Sequence, residues 1–186
     1  MNDDKKRNTI RISKMMAYLL RHGAVKEGIT MDNHGWIAIH DMVEFINSKF
    51  KLMTTIDEVK YIVASDNKQR YTIKNGMIRA NQGHSIPVDL QLASREPPDI
   101  LYHGTAQHFL ESIMETGLLS MNRHHVHLSK DLETALAVGR RHGSPVVIGI
   151  HANKMARQGF TFHLSDNGVW LVNTVPVRFL FLLDDE

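Results

Sequence analysis

The chain has 186 residues and no cysteine. That absence removes disulfides, thiolate metal sites and thiol catalysis together. No run of about 18 apolar residues is present, so no stretch reads as a membrane-spanning helix. The opening MNDDKKRNTIRISK is polar and charged and does not read as a signal peptide. Charge of one sign is nearly balanced by the other, 22 Lys and Arg against 20 Asp and Glu, for a formal net charge of +2. A general polyanion binder is thereby excluded, and any contact with nucleic acid must come from local basic clusters. Several motifs are also missing: GxSxG, HExxH, GxGxxG and GxxxxGK[ST]. Neither a serine-hydrolase elbow, a zinc-peptidase helix, a Rossmann site nor a P-loop is signalled.

What is present is ordinary in amount, 42% hydrophobic and 23% charged, but it includes 12 histidines. The length allows one domain or two small ones with a real core. IRISKMMAYLLRHG places Ile12, Met16, Leu19 and Leu20 on one helical face, with Gly23 as a stop. GWIAIHDMVEFINSKF reads as a short extended entry and a second helix. TIDEVKYIVASDNK reads as a third helix with Ile56, Val59, Ile62 and Val63 inward. RYTIKNGMIRA reads as a hairpin turning at Asn75-Gly76. That register pairs Ile73 with Ile78 and Tyr71 with Ala80, and it puts Arg70, Thr72 and Arg79 on the other face. Three helices and a hairpin form the pattern of a winged helix, which does not by itself establish nucleic-acid binding.

SIPVDLQLASREPPD, stiffened by Pro97-Pro98, marks a boundary between two lobes, 1–92 and 93–186. Beyond it ILYHGT, HVHLS, PVVIGI, GVWLV and VRFLFLL read as strands. AQHFLESIMETG and KDLETALAVGRRHG read as helices, with Gly117 and Gly143 as their ends. The expected fold class is α+β.

Four stretches combine Arg or His with Gly or a turn: Arg21-His22-Gly23, Gln69-Arg70-Tyr71, His103-Gly104-Thr105 and Gly139-Arg140-Arg141-His142-Gly143. Each has a plain alternative. A basic pair closing a helix offsets the helix dipole, an arginine at a hairpin mouth is solvated, and a histidine ending an apolar strand is structural. His124, His125 and His127 raise the possibility of a metal site, but no carboxylate lies close in sequence to complete it. What remains is a surplus of Arg and His without an evident acid/base carboxylate. Guanidinium groups grip phosphate oxygens with a permanent charge, so the surplus suits an anionic substrate.

In order, SKMMAYLLRHG, DNHGWIAIHDMV, SDNKQRYTI, IRANQGHS, PPDILYHGT, HVHLS, VGRRHGSPVVI and NGVWLVNTVPVRFL run from about residue 13 to 181. The chain resembles the NAD-dependent RNA (tRNA) 2′-phosphotransferases over nearly its whole length. The resemblance implies an N-terminal winged-helix RNA-binding lobe and a C-terminal ADP-ribosyltransferase-like lobe that binds NAD. It implies a two-step reaction. The RNA 2′-phosphate attacks NAD and expels nicotinamide, giving an RNA-2′-phospho-ADP-ribose intermediate. The ribose 2″-hydroxyl then releases 2′-OH RNA and ADP-ribose 1″,2″-cyclic phosphate. By motif the catalytic set falls on Arg21, His22, Arg70 and Arg141, with Arg141 expected across a cleft between lobes.

The NAD set implied by the resemblance is His103 and Thr105 on the adenosine side, the Gly104 backbone and Ser129 at nicotinamide, and His127. His84 is expected to touch RNA, and no metal is expected. Val169 stands where many protein ADP-ribosyltransferases carry Glu, which weighs against protein modification. The implied partner is RNA with an internal 2′-phosphate, the tRNA splice junction being the family's expected source. No membrane partner, a monomer and a cytoplasmic location are expected. An ADP-ribosyltransferase acting on nucleic-acid or protein ends, and a non-catalytic RNA-binding module, are the alternative readings.

Overall fold

The computed structural model of the chain describes residues 3–183. It divides into two compact units, Met1–Gln91 and Leu92–Glu186. Both are mixed α/β with small antiparallel sheets.

The first unit runs α1 (Asp3–Tyr18), a π-helical turn (Leu19–Gly23), β1 (Ile37–Ala38), α2 (Ile39–Phe50), α3 (Ile56–Ala64), β2 (Tyr71–Lys74) and β3 (Met77–Ala80). Its sheet has the order β1-β3-β2. Asn75 and Gly76 both take positive φ, 50° and 74°, which a two-residue hairpin turn with the strands' own twist requires. The register follows the alternation of the sequence, Tyr71 opposite Ala80 and Ile73 opposite Ile78. The Gly76 carbonyl also accepts the Ile39 N–H at 3.0 Å, so the hairpin satisfies a donor at the start of α2 that has no partner within its helix. Ile12, Met16, Leu19 and Leu20 are buried and meet Met42, Ile46 and Val59 in one core.

One expectation fails here. Ile56 is 37% exposed, because it is the first residue of α3, held at the surface by the Thr55–Glu58 capping box. Gly23 is the last residue of the helical run as expected, although the run ends through a π turn and Ala24 beyond it is still right-handed.

The second unit runs β4 (Ile100–Ala106), a 3-10 turn (Gln107–Phe109), α4 (Leu110–Thr116), β5 (Leu118–Leu119), β6 (Val126–Leu128), α5 (Leu132–Gly139) and β7 (Pro145–His151). It continues with α6 (Ala152–Arg157), β8 (His163–Leu164), β9 (Trp170–Val172), β10 (Thr174–Val175), a second 3-10 turn (Val177–Phe179) and β11 (Leu180–Leu182). The strands pair as β11-β7-β4, β6-β9-β8 and β10-β5. Ser129 and Tyr102 exchange backbone hydrogen bonds of 2.8 and 2.9 Å, which tie β4 to the segment after β6. Leu101, Ile150, Phe162 and Phe179 sit in its core.

Gly117 ends α4 with φ 83° as expected. Gly143 does not end α5, which stops at Gly139. VRFLFLL is only partly a strand, since Pro176 leads into a 3-10 turn and pairing begins at Leu180. Among the described residues no helix is long and apolar enough to cross a membrane.

Candidate active site

In the first unit Arg21 and His22 ride on the π turn, a wide coil closed by Ala24 N–H to the Leu19 carbonyl at 3.1 Å. Such turns are rare and concentrate at functional positions. Leu19, Leu20 and Gly23 face the core, while Arg21 is half-buried and His22 exposed. A Cβ on Gly23 would lie 2.4 Å from the Tyr18 ring. The tyrosine ring lies over the glycine, and any side chain there would have to displace it. Tyr18 in turn donates to Glu27 at 3.1 Å, and Glu27 pairs with Lys49.

The segment after β3 closes on this turn. Ser85 N–H donates to the Arg21 carbonyl at 3.0 Å, and the Ser85 hydroxyl meets His22 Nδ1 at 2.8 Å. Gly83, with φ 89°, lies against the Arg21 side chain, whose Cζ is 3.5 Å from where a Cβ would sit. His84 is only 2% exposed, and its Nε2 is directed at Gly35, 3.4 Å from the position of a Cβ there.

Arg70 is held from two sides. Asp66 accepts its backbone N–H at 2.8 Å and its Nη1 at 2.6 Å, with the Asp66 side chain 10% exposed and the Arg70 side chain 33%. The buried Asn81 donates its side-chain amide to the Gln69 carbonyl at 2.7 Å and its backbone N–H to the Arg70 carbonyl at 2.8 Å. These bonds fix Gln69 in its left-handed conformation, φ 43°. Burial pushes the Tyr71 hydroxyl above its ordinary pKa of 10.0, and the charges of Arg21 and Arg70 both pull it back down. Both charges thus act on one buried hydroxyl.

In the second unit His103, Gly104 and Thr105 lie on β4, opposite Ile148, Val147 and Val146 of β7. A Cβ on Gly104 would come 1.7 Å from the Ala135 carbonyl oxygen, and one on Gly139 would come 2.5 Å from the Thr105 carbonyl oxygen. Helix α5 is therefore seated on β4 backbone to backbone through two glycines. His103 Nδ1 is 3.1 Å from the His127 carbonyl oxygen, and because that oxygen only accepts, Nδ1 carries the proton. Burial lowers the His103 pKa, the bond to His127 works against it, and the charges of His142 and Arg123 add to the lowering. The neutral ring with an accepting Nε2 is the favoured form. Thr105 is buried, while His127 and Ser129 are half-buried.

Arg140, Arg141 and His142 lie past the last turn of α5, in an exposed corner whose N–H groups bond back to Leu136, Val138 and Gly139. The corner lies beside β4, with the site of a Gly143 Cβ 3.6 Å from Ala106 and 3.7 Å from the His108 ring. Among the described residues no group of three or more His, Cys, Asp or Glu is arranged to hold a metal ion.

The residues that sequence reasoning missed are those that orient the predicted ones. Ser85 directly follows His84 in QGHS, and Asp66 stands four residues before Arg70 in DNKQR. Asp131 caps α5 by accepting from Thr134 N–H at 2.7 Å. Only the spacing of Asp66 and of Asp131 carried a signal.

The first unit thus carries a guanidinium held by a carboxylate and a histidine against a hydroxyl, and the second unit carries an exposed arginine corner; arginines suit phosphate oxygens as ligands. The comparisons with known proteins name the family. Residues 7–174 match the model of the RNA 2′-phosphotransferase, Tpt1 / KptA family. A probable RNA 2′-phosphotransferase of Nostoc punctiforme is 49% identical over 173 residues, covering 92% of this chain and 95% of the relative. A probable RNA 2′-phosphotransferase of Streptomyces griseus is 42% identical over 185 residues, covering 95% and 97%. One of Flavobacterium johnsoniae is 42% identical over 171 residues, covering 91% and 93%. The chain belongs to the RNA 2′-phosphotransferase family, transferases named for their action on an RNA 2′-phosphate.

Proposed function

We propose that the chain removes an internal RNA 2′-phosphate by transferring it to NAD, with Arg21, His22 and Arg70 of the first unit and Arg141 of the second as the reacting set. The observation that supports this reading is the seating of His22 against Ser85 and of Arg70 against Asp66 in the first unit, with Arg21 adjoining His22 and lying against Gly83. The element order helix–strand–helix–helix–strand–strand, with β1 added to the β2–β3 hairpin, supports reading that unit as a winged helix. The ADP-ribosyltransferase-like reading of the second unit rests on the resemblance, joined by the donor set on β4.

That donor set fits NAD. A neutral His103 offers an accepting Nε2 to a ribose hydroxyl, and Thr105 and Ser129 add hydroxyls that donate or accept. As co-substrate, NAD supplies an activated ribose carbon that loses nicotinamide and a neighbouring hydroxyl that closes ADP-ribose 1″,2″-cyclic phosphate. The arginines neutralise the 2′-phosphate on binding. They then stabilise the negative charge that builds on phosphorus as its bond to the RNA 2′-oxygen breaks. His22, whose side-chain type titrates near neutrality, receives the proton of the attacking hydroxyl.

Incubation of a 2′-phosphorylated RNA oligonucleotide with NAD tests the reading. The expected products are 2′-OH RNA, nicotinamide and the cyclic phosphate, formed equally in excess EDTA. A product that stops at ADP-ribosylated RNA would favour an ADP-ribosyltransferase, and no NAD consumption would overturn the reading. Donors aimed at developing charge are worth roughly 3–4 kcal/mol each, or on the order of a hundredfold to a thousandfold in rate. Arg21→Ala and Arg70→Ala should therefore accumulate RNA bearing ADP-ribose on its 2′-phosphate in a single turnover.

A further inference from the structure

We propose that Ser85 is the positioning residue for His22, holding the imidazole in the tautomer whose Nε2 takes up the proton. This rests on the reading of His22 as the base of the second chemical step. The observations are geometric. Ser85 Oγ lies 2.8 Å from His22 Nδ1, and the Ser85 backbone N–H donates to the carbonyl of the preceding residue, Arg21, at 3.0 Å. The second bond fixes the serine against the π turn itself, so its hydroxyl does not depend on a mobile side chain for its aim. Gly83, at φ 89°, gives the backbone the bend that returns it to this turn, and His84 between them is buried. The segment is anchored before the hydroxyl contact by buried His84 and after it by the Asp89 N–H, which donates to the Asn33 carbonyl at 2.8 Å.

The chemistry of a hydroxyl suits the task. Neutral imidazole carries one N–H and one lone pair, and a base must present the lone pair to the proton it takes. A serine oxygen that accepts from Nδ1–H leaves the lone pair on Nε2. After proton uptake both ring nitrogens carry hydrogen, and Nδ1–H still donates to the same oxygen. One unmoved hydroxyl therefore serves the ring before and after the transfer. A carboxylate in its place would serve both states too, but its charge would favour imidazolium and raise the pKa of the base. A neutral partner orients the ring without adding a charge beside it.

The test uses the full chain and three variants, Ser85→Ala, Ser85→Thr and His22→Ala. Nitrogen-15 NMR of the histidine rings should show His22 protonated at Nδ1 in the unsubstituted chain and mixed between nitrogens in Ser85→Ala. In single-turnover assays with 2′-phosphorylated RNA and NAD, Ser85→Ala should slow the second step about tenfold to a hundredfold, less than the roughly hundredfold to ten-thousandfold of proton-transfer catalysis as a whole, because the base itself remains. RNA bearing ADP-ribose on its 2′-phosphate would accumulate, with disappearance of substrate unchanged. Ser85→Thr keeps the hydroxyl and should restore most of the rate and the Nδ1–H tautomer. An Nε2–H tautomer in the unsubstituted chain, or equal tautomer and rate in Ser85→Ala, would overturn the role of Ser85. If His22→Ala accumulates no adduct, the reading of His22 as the base fails instead, and the two failures are told apart. Loss of the melting transition in Ser85→Ala together with the same loss in Ser85→Thr would assign Ser85 to the fold alone and also overturn the proposal.

Discussion

Arg70 owes its aim to Asp66, whose two oxygens accept the Arg70 backbone N–H at 2.8 Å and Nη1 at 2.6 Å. Hydrogen bonds between charged groups are worth roughly 1.5–3 kcal/mol, and partial exposure of this pair favours the lower end. Asp66→Asn keeps the shape and one acceptor, for the backbone N–H, but removes the charge and turns an NH2 donor toward Nη1. It should lower kcat/KM for 2′-phosphorylated RNA about tenfold, at about 1.4 kcal/mol per tenfold, with little change in melting temperature. Unchanged kinetics would show that Arg70 needs no such hold. Gly104 makes the opposite case, where the fold rather than a reacting group sets the residue. A Cβ there would come 1.7 Å from the Ala135 carbonyl oxygen, a backbone atom that no rotamer change can move. Overpacking usually costs about 1–3 kcal/mol, and a backbone clash belongs at or above that range. Gly104→Ala should lower the free energy of unfolding by at least about 3 kcal/mol, read from urea melts.

Elements were legible in the sequence where periodicity and turn chemistry agreed. The hairpin is the clearest example: Asn75-Gly76 located the turn, and alternation of Tyr71, Ile73, Ile78 and Ala80 then set the register. Helix ends were less legible. Gly23 and Gly143 both look like stops, and the first does end its helical run, but the second bends a corner three residues beyond the Arg140 cap. Gly143 takes φ 138°, a backbone conformation that side chains rarely adopt. The basic residues of the Arg140–His142 corner follow α5 and are not in its last turn, so dipole compensation does not account for them. The motifs singled out Arg21, His22 and Arg70 as candidates, but nothing in the sequence pointed to Ser85, because its contact with His22 spans 63 positions.

The start of α5 yields a direct check. Asp131→Ala should cost about 1 kcal/mol, and Thr55→Ala at the start of α3 a similar amount, both read from denaturation midpoints. His103 and His125 add a pH dependence. Burial leads the causes that hold both below the ordinary 6.5, so the folded chain binds fewer protons than the unfolded chain just below that value. The stability they contribute is present above about pH 6.5 and is lost as the pH falls through their folded pKa values. Denaturation midpoints should be lower at pH 5 than at pH 7.5, and His125→Gln should reduce the difference. A midpoint that rises on acidification would contradict this sign.

Across the whole molecule the charge is unevenly placed. Residues 5–26 hold seven cations, Lys5, Lys6, Arg7, Arg11, Lys14, Arg21 and Lys26, and no Asp or Glu, in a chain of formal charge +2. The rest of the chain is therefore net negative, and long-range attraction of RNA is concentrated on one helix and the turn that follows it. Arg7, Arg11 and Lys14 are exposed at the spacing of a single helical face. From Arg7 to Lys14 the helix rises about 10 Å, and the same helix leads directly to Arg21 and His22. A strand extending from the 2′-phosphate along this face would meet the three cations in turn. Each phosphate contact contributes roughly −0.7 to the slope of log affinity against log salt for single strands. Replacing Arg7, Arg11 and Lys14 together by glutamine should make that slope shallower by about 2, measured by titrating a 2′-phosphorylated oligonucleotide of about ten residues with NaCl. A 2′-phosphorylated dinucleotide, too short to reach the face, should show no difference between the two proteins. An unchanged slope for the longer RNA would place the flanking strand elsewhere.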